Sequence, residues 1–390
     1  MVLQSKRVNL ENAPPSFGAA HPTHGSIKSI GSRIRSSIHD PARRRRARTA
    51  HSSKYAADQT KRKSKAKAPQ LRFDVTSVAP PQMADVEMCD VEQQPAFSTT
   101  SYEVPRELLR PTFQEISYDT LSSFEPELLG DDLPDIEYIR DVMEDLGPGL
   151  LRAAVTVVPD SPAKNALPTE IAITINDHSD YPPPTHMLAV HGRAPKDAPL
   201  SARRQVTLVP THSLVLGLHC VRLPKFAAPP SAPAYTSEDR TQLTIPVQPL
   251  CIPAPATYAF LATFLYTKRT DILLKALLPC PPPPKLDDDR TLLPAFAGRL
   301  AATYTGHALM RHIQSVYGLW QNACALGVFV DELWDTIDLA WEVLLTAMAI
   351  SNGKPHLMLK RPATPPPVAS TSEVAASTAD SESRASTPQP

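Results

Sequence analysis

Proline limits the folds open to this chain more than any other feature of its sequence. The chain has 390 residues, of which 43 are proline and only 13 are glycine, so proline occurs at about twice its usual frequency. Because proline fixes φ and lacks a backbone N–H, a proline-rich stretch suits neither a helix interior nor a central strand. Apolar residues concentrate between positions 150 and 350, and we therefore predict one folded core at residues 150–359.

Charge is balanced over the whole chain but not along it. The sequence holds 40 Lys and Arg against 40 Asp and Glu, yet residues 1–72 are basic and residues 74–145 are acidic. Such stretches have too few apolar side chains to offset the entropy cost of ordering. We predict that residues 1–100 are disordered, first basic and then acidic, and that the Ser/Thr/Pro-rich residues 360–390 form a second disordered arm.

Two basic clusters lie in the N-terminal arm, separated by a short spacer. A nuclear import adaptor has an extended acidic groove that takes two cationic clusters, and blocks of like charge also serve as nucleic-acid arms. We predict a nuclear import signal, an import adaptor as partner and location in the nucleus, and we leave direct contact with nucleic-acid phosphates open. The clusters consist of Arg43, Arg44, Arg45, Arg46 and Arg48, and of Lys61, Arg62, Lys63, Lys65 and Lys67.

Residues 101–149 form an acidic segment in which we predict one amphipathic helix at 131–146. Its apolar residues recur at steps of three and four from Ile136 to Leu146, which is typical of a helix with one buried face. Gly147, followed by proline, is expected to end this helix. Two interpretations stay open: the helix docks on the core, or the segment binds a partner as an acidic–hydrophobic activation region does.

The core alternates short apolar runs with helical stretches. This order predicts an α+β fold, a small mixed sheet with clustered helices that is flanked by the two disordered arms. At its C-terminal end, two amphipathic stripes separated by Gly327 predict an antiparallel helix pair. Trp320, Trp334 and Trp341 fall on these stripes, so we expect them in the core rather than at an interface. The predicted strands are 154–158, 171–175, 206–209 and 243–247, and the predicted helices before the terminal pair are 211–219, 255–266 and 270–278.

No catalytic, cofactor-binding or metal-binding motif is recognisable in the sequence. Phosphate-binding glycine loops, the GxSxG turn and HExxH are absent, and the five cysteines show no CxxC spacing. Pro-Thr-His occurs twice, at His186 and His212, but the spacing fits no ligand pattern, and buried or capping histidines are the better interpretation. We expect no enzyme activity, no cofactor and no metal. We also expect no membrane span, because no run approaches about 18 uncharged apolar residues.

Ser-Pro and Thr-Pro dipeptides are candidate sites of proline-directed phosphorylation, although such dipeptides also arise by chance in a proline-rich chain. They lie at Ser161, Thr364 and Thr387. A phosphate on the C-terminal arm adds charge, and we expect it to change partner binding rather than to fold the arm.

The order of elements in the core resembles a BTB/POZ domain, in which a helix opened by a histidine is followed by a strand and then by an aromatic helix. The resemblance implies a BTB/POZ-like core over about 150–350. Proline-rich insertions at 181–199 and 224–234 depart from the family and affect its usual homodimer surface, so homo-oligomerisation stays open. The residues in the matching places are His212, Leu214, Leu216, Ile245, Phe260, Leu261, Leu265, Tyr266 and Thr267.

Several segments resemble the clampless family of mushroom-forming fungi, whose members are needed for clamp-cell formation in sexual development. These segments are PTHMLAVHG, TLVPTHSLVLGLHCVRLPKF, LTIPVQPLCIPAPATYAFLATFLYT and HIQSVYGLWQNACALGVFVDELWDTIDLAWEVLL, and the resemblance covers about 101–358.

This second resemblance implies a function that the composition alone does not. It implies a nuclear, non-enzymatic regulator of clamp-cell formation and dikaryon maintenance, acting by protein–protein interaction downstream of mating-type homeodomain factors. The implied partner is a transcription factor, such as a mating-type homeodomain protein. The alternative is a nucleic-acid-binding transcription regulator that uses the basic N-terminal arm.

Overall fold

The computed structural model describes residues 69–78, 97–113, 116–124, 134–161, 166–176, 180–194, 205–227 and 241–359. The strands are β1 (Gln70–Val78), β2 (Phe97–Pro105), β3 (Val157–Pro159), β4 (Glu170–Ile175), β5 (His186–His191), β6 (Val206–Thr211) and β7 (Gln242–Cys251). The helices are α1 (Tyr118–Phe124), α2 (Ile136–Val155), α3 (Ser213–Gly217), α4 (Tyr258–Thr267), α5 (Thr270–Leu277), α6 (Leu293–Thr303), α7 (Gly306–Leu326) and α8 (Asp331–Ser351). Short 3-10 turns span Pro255–Thr257, Arg290–Leu292 and Pro355–Leu357.

A mixed sheet with strand order β3-β4-β7-β5-β6 organises the middle of the chain. β5 and β7 run parallel, whereas the other neighbours are antiparallel. The first half of β7 pairs with β4 and its second half pairs with β5, so β7 joins the two parts of the sheet. The connection from β5 to β7 runs through β6 and α3, as a parallel pair requires a crossover. This combination of helices with a small mixed sheet confirms the predicted fold class.

The two faces of the sheet belong to different hydrophobic clusters. Leu188 and Val190 of β5 and Leu250 of β7 join the main core, which the helices build. Since alternate residues of a strand point to opposite faces, their neighbours fall on the other side. That side forms a smaller cluster made of Val157, Ile171, Ile173, Met187, Leu243 and Ile245.

The terminal helix pair is present as predicted, with α7 and α8 packed together across the turn at Gly327. Gly327 has φ +69°, a left-handed conformation that ends α7 and that glycine adopts at little cost. Trp334 and Trp341 are buried in the core, as expected. Trp320 is only half-buried, so its indole also reaches the surface of the protein.

The structure corrects the prediction that all of residues 1–100 are disordered. β1 pairs with β2 in an antiparallel hairpin along its whole length. Leu71, Phe73 and Val75 alternate with exposed residues and lie buried in the main core. Their burial against the helices supplies the apolar contacts that offset the entropy cost of ordering this hairpin.

The predicted helix at 131–146 is also corrected, because α2 begins after its N-cap Asp135 and continues to Val155 through Gly147 and Pro148. A proline inside a helix costs about 3 kcal/mol, so tertiary packing must offset it. Leu150, Ala153 and Ala154 extend the buried face beyond the proline.

Close contact between α2 and α4 explains why residue 147, at which the predicted helix was expected to end, is a glycine. A Cβ added at Gly147 would overlap the carbonyl oxygen of Tyr266. Gly147 therefore serves close packing inside α2 and does not terminate the helix. The docked interpretation of this helix is confirmed, since its buried residues belong to the main core.

The remaining predicted elements agree with the structure to within a few residues, apart from one run that the structure divides. The run at 154–158 is divided between the end of α2 and the short strand β3. α1, β5 and α6 were not predicted as elements. Across the described ranges, no helix is both long enough and apolar enough to pass through a bilayer.

Candidate functional site

The predicted site residues mostly lie outside the part of the chain that the structure describes. This holds for both basic clusters and for Thr364 and Thr387, so the import signal and these phosphorylation sites stay predictions. Ser161 is described and exposed, just after β3. It is therefore accessible to a kinase, but nothing else in its surroundings assigns it a role.

A segment that we call the strap, residues 106–113, follows β2 and crosses the α7–α8 pair. The indole Nε1–H of Trp320 in α7 donates to the carbonyl oxygen of Leu109 at 3.1 Å. The guanidinium of Arg110 donates to the carboxylates of Asp331 at 3.1 Å and Asp335 at 2.7 Å, both in α8. The side chain of Leu108, which also belongs to the strap, is buried in the core. The strap is therefore fixed to both helices of the pair.

The strap completes a surface of aromatic and aliphatic side chains. The side chain of Leu109 is 66% exposed. Tyr317 and Trp320, both half-buried, stack with ring centroids 5.3 Å apart, and Tyr317 also lies 6.1 Å from the ring of Trp341 in the core. We call Leu109, Tyr317 and Trp320 the strap surface; its two rings are stacked, and the backbone of Leu109 is hydrogen-bonded to Trp320.

α8 carries a row of carboxylates whose first two members pair with Arg110 of the strap. Asp331, Asp335, Asp338 and Glu342 follow one another at steps of three and four along the helix, so they share one face. Arg110 pairs with the first two of these carboxylates, and Arg290 pairs with Glu342 at 3.2 Å. Acidic residues outnumber these basic partners, which gives this face a negative potential.

His212 and Tyr266 form a fully satisfied polar cluster inside the protein, which we call the closed cluster. The backbone N–H of His212 donates to the Tyr266 hydroxyl oxygen at 2.8 Å. The imidazole Nε2–H donates to the carbonyl oxygen of Pro182 at 3.0 Å, which leaves Nδ1 to accept from the Tyr266 hydroxyl at 3.0 Å. Burial lowers the pKa of His212 to about 4, against the effect of the Pro182 and Pro183 carbonyls, so the imidazole is neutral at neutral pH.

The other Pro-Thr-His sequence has a similar structural role. The Nδ1 atom of His186 lies 3.0 Å from the hydroxyl oxygen of Thr185, and its Nε2 atom lies 2.9 Å from the carbonyl oxygen of Ala227. The Thr185 hydroxyl in turn accepts from the backbone N–H of Ser213, the first residue of α3. Among the described residues, no three His, Cys, Asp or Glu side chains are grouped closely enough to hold a metal ion.

Lys268 contrasts with these histidines, because its buried amino group has no hydrogen-bond acceptor in the described part of the chain. The residue ends α4 with φ 53°, a left-handed conformation. Its Nζ lies 5.5 Å from the ring centroid of Phe264. Burial lowers the pKa of Lys268 to about 8, and the positive charge of Arg140 acts in the same direction, against the carboxylates of Glu332 and Glu144.

Three further residues interact electrostatically with this amino group, and we call them, together with Lys268, the junction cluster. Arg140 of α2 places its guanidinium 4.8 Å from the ring centroid of Phe329. The carbonyl oxygen of His219 accepts from the backbone N–H of Phe329 at 3.4 Å. The backbones of Cys220 and Val328 form an isolated antiparallel β-bridge. The cluster therefore lies where α2, the end of α4 and the α7–α8 turn meet, and its members are Lys268, Arg140, His219 and Cys220.

The pKa values of His219 and Cys220, the other two members of the junction cluster, are shifted by burial and by the nearby positive charges. Burial lowers the pKa of His219 well below its ordinary value, and the positive charges of Lys268 and Arg140 lower it further. Burial raises the pKa of the Cys220 thiol to about 12, although the charge of Lys268 opposes this shift. The thiol is thus protonated at neutral pH, which excludes it as a thiolate nucleophile.

Neither the strap surface nor the junction cluster was predicted as a site from the sequence. Leu109 lies in an acidic segment with no strand or helix pattern around it, and Lys268 lies in the short TKRTD stretch between two helices. The one available signal was the position of Trp320 on an amphipathic stripe, which predicted burial. Both sites depend on contacts between residues that are far apart in the sequence.

Two family models match the chain and together cover more than half of it. Residues 111–253 match the Clampless protein 1 N-terminal domain, and residues 271–380 match the Clampless protein 1 C-terminal domain. No curated protein and no solved structure matches the chain, so the BTB/POZ resemblance stays a prediction.

The matched ranges locate the junction cluster between two halves of the protein. Arg140 and His219 belong to the N-terminal range, and Phe329 belongs to the C-terminal range. Lys268 falls in the interval that separates the two, at the end of α4. The buried amino group thus lies at the contact between the halves.

Proposed function

The chain belongs to the clampless protein family, and we propose that it is a nuclear, non-enzymatic regulator that works by binding other proteins. Membership of the family fits a role in clamp formation during sexual development. The finer proposal places the protein downstream of mating-type homeodomain factors, where it supports clamp-cell formation and maintenance of the dikaryon. Its partner would be a transcription factor.

The strap surface is the observation that carries this proposal. Aromatic side chains that are fixed in place and partly exposed dominate the energy of protein–protein contacts, since a partner buries them at little further entropy cost. Tyr317 and Trp320 meet this description, and the exposed Leu109, whose backbone oxygen accepts from the Trp320 indole, adds an aliphatic side chain. A partner that covered this surface would bury all three side chains together.

The carboxylates of α8 favour a partner with a basic surface. Asp331, Asp335, Asp338 and Glu342 share one face of α8, and the first two pair with Arg110 of the strap. Complementary charge speeds association and selects partners. DNA-binding domains of transcription factors carry such basic surfaces. The same carboxylates would repel DNA itself, so we favour a protein partner for this part of the molecule.

Substitution of Leu109 tests the role of the strap surface. Leu109→Arg should leave folding unchanged, because the side chain is mostly exposed and only its backbone oxygen bonds to Trp320. In the full chain expressed in mating cells that lack the native protein, this variant should lose most of its co-purifying transcription regulators and should fail to restore clamp cells.

Val155→Arg is the matched control for this experiment. Val155 is 70% exposed at the end of α2, away from the strap, so its substitution introduces the same charge at an equally exposed position. It should retain both the partners and the clamp cells. Equal behaviour of the two variants would remove the strap surface from the proposal.

The proposed nuclear location rests on the basic clusters and is tested separately. Replacement of Arg43, Arg44, Arg45, Arg46, Lys61, Arg62 and Lys63 by alanine in a tagged full chain should abolish nuclear accumulation. An unrelated import signal appended to this variant should restore both location and clamp formation. If the variant still accumulates in the nucleus, the import proposal is wrong.

Binding of nucleic acid by the basic arm is the second candidate function, favoured by the charge of the same clusters. Each Lys or Arg that contacts a phosphate releases counterions, so such binding would weaken steeply with salt. The variant with the appended import signal also separates the two functions. If it reaches the nucleus but does not restore clamp cells, the arm has a role beyond import.

A further inference from the structure

We propose that the junction cluster is a binding site for an oxyanion, a carboxylate or phosphate group that would accept hydrogen bonds from the buried amino group of Lys268. Arg140 would add a second positive charge to the site. The inference goes beyond the proposed function and does not depend on the strap surface, which lies on other residues.

The first argument is the missing acceptor. Buried polar groups in proteins are nearly always hydrogen-bonded, and a buried charge without a partner is costly. The Nζ of Lys268 is fully buried, and none of the described residues accepts from it. Lysine side chains are long and flexible, and Lys268 stands at a helix end close to solvent-exposed residues. Its amino group nevertheless points into the interior.

The second argument is the sign of the local charge. The pKa of His219 is lowered by burial and also by the charges of both Lys268 and Arg140, so the two cations act on the same interior region. The nearby carboxylates belong to Glu144 and Glu332, and both of these residues are exposed. Water and salt screen exposed charges far more than buried ones. Both cations therefore act on the buried imidazole of His219, whereas the two carboxylates belong to exposed residues.

The third argument is the chemistry of the donors. An ammonium and a guanidinium together form strong, charge-assisted hydrogen bonds with carboxylate and phosphate oxygens. The guanidinium of Arg140 is stacked on Phe329, which restricts its orientation. Lys268 itself lies in the interval between the two matched ranges. Free phosphate and an acidic side chain of a bound protein would both present an oxyanion.

One alternative occupant comes from the chain itself. The carboxylate of Glu332, which contributes most among the charges that favour the protonated form of Lys268, could turn inward and pair with the amino group. In that case the cluster would be an internal ion pair and not a binding site. The experiment must therefore distinguish an added anion from Glu332.

Thermal unfolding of the full chain in sodium phosphate tests the proposal, with sodium chloride replacing phosphate at equal ionic strength as the reference. At about ten times the dissociation constant, phosphate should raise the Tm by about 2–4 °C. Lys268→Met should abolish this shift. Lys275→Met, a substitution at an exposed lysine of α5, should retain it.

Two further arms identify the occupant and its class. Glu332→Gln removes a competing carboxylate, so the phosphate shift should grow; a lower Tm with no phosphate shift would show that Glu332 fills the site and would overturn the proposal. Sodium acetate in place of phosphate tests the carboxylate form, and a shift with either anion supports the site. Absence of any shift in the unmodified chain, or an equal shift in Lys268→Met, would overturn it.

Discussion

The closed cluster and the junction cluster each include a residue at the C-terminal end of α4, Tyr266 and Lys268. The two clusters differ in their charge and in whether their polar groups are hydrogen-bonded. The hydroxyl of Tyr266 accepts a hydrogen bond from the backbone N–H of His212 and donates one to its Nδ1 atom. Lys268, two positions further along the chain, ends in a buried amino group without an acceptor. The closed cluster is neutral at neutral pH, whereas the junction cluster contains two cations.

This difference indicates different roles for the two clusters. A fully satisfied buried network stabilises one arrangement of the chain, here the start of α3 against the end of α4. An unsatisfied buried charge lowers stability, and such groups concentrate at functional sites. We therefore assign the closed cluster to the fold and the junction cluster to binding, and substitutions should reveal this difference in the sign of their effects.

Gly147→Ala should have the largest effect, because it disturbs the contact between α2 and α4 beside the closed cluster. The added methyl group would overlap the backbone carbonyl of Tyr266, and backbone atoms cannot move aside as a flexible side chain can. We expect the free energy of unfolding to fall by about 3 kcal/mol or more. Urea unfolding followed by tryptophan fluorescence would measure it.

Gly298→Ala is the matched control for this substitution. Gly298 also lies inside a helix, α6, but an added Cβ would meet nothing within 4 Å. Alanine is a better helix former than glycine, so this variant should gain up to about 1 kcal/mol. A similar loss of stability in both variants would contradict the close contact at Gly147.

Tyr266→Phe should have the next largest effect. It removes the hydroxyl that accepts from the backbone N–H of His212 and donates to its imidazole, which leaves two buried groups unsatisfied. We expect a loss of about 2 kcal/mol in the free energy of unfolding. Tyr304→Phe, which loses one bond to the Pro279 carbonyl in a partly buried position, should lose less than about 1 kcal/mol, and equal losses would contradict the closed cluster.

Lys268→Met should have a smaller effect of the opposite sign. At pH 7 the folded protein holds a buried ammonium whose pKa is about 8, against an ordinary value of 10.5. Removal of this charge should raise the free energy of unfolding by about 1–2 kcal/mol, after allowance for partial solvation. Lys275→Met should leave the free energy of unfolding nearly unchanged.

The pH dependence provides a second test of the Lys268 prediction. Between pH 8 and 10.5 the unfolded chain keeps the proton that folded Lys268 has lost, so the stability of the unmodified protein should rise with pH in this window. The gain of Lys268→Met over the unmodified protein should shrink in the same window and vanish above it. A gain that is independent of pH would contradict a buried ammonium.

The sequence predicted those parts of the fold that follow from local patterns. The α7–α8 pair and the strands β4, β6 and β7 carry clear periodicity with turn residues at their ends, and the family resemblance was confirmed by the matched models. β5 was missed because its residues, HMLAVH, are apolar without alternation. Such a run is typical of a strand buried on both faces.

The parts that the sequence did not predict depend on contacts between distant residues. α2 continues through Pro148 because its later turns pack on the core, and no local pattern contains that contact. Lys268 is buried because α2 and the α7–α8 turn approach the end of α4. Charged residues in a short interhelical stretch usually lie in solvent, so local reasoning gives the wrong expectation here.

The pKa of the Lys268 amino group tests the difference between the two clusters most directly. In the full chain labelled with carbon-13 lysine, NMR titration would follow this group, and Lys268→Met would assign its signal. The account predicts a midpoint near 8 without added anion, and a higher midpoint in phosphate. A midpoint near the ordinary 10.5 without phosphate, or a midpoint near 8 that phosphate does not raise, would contradict it.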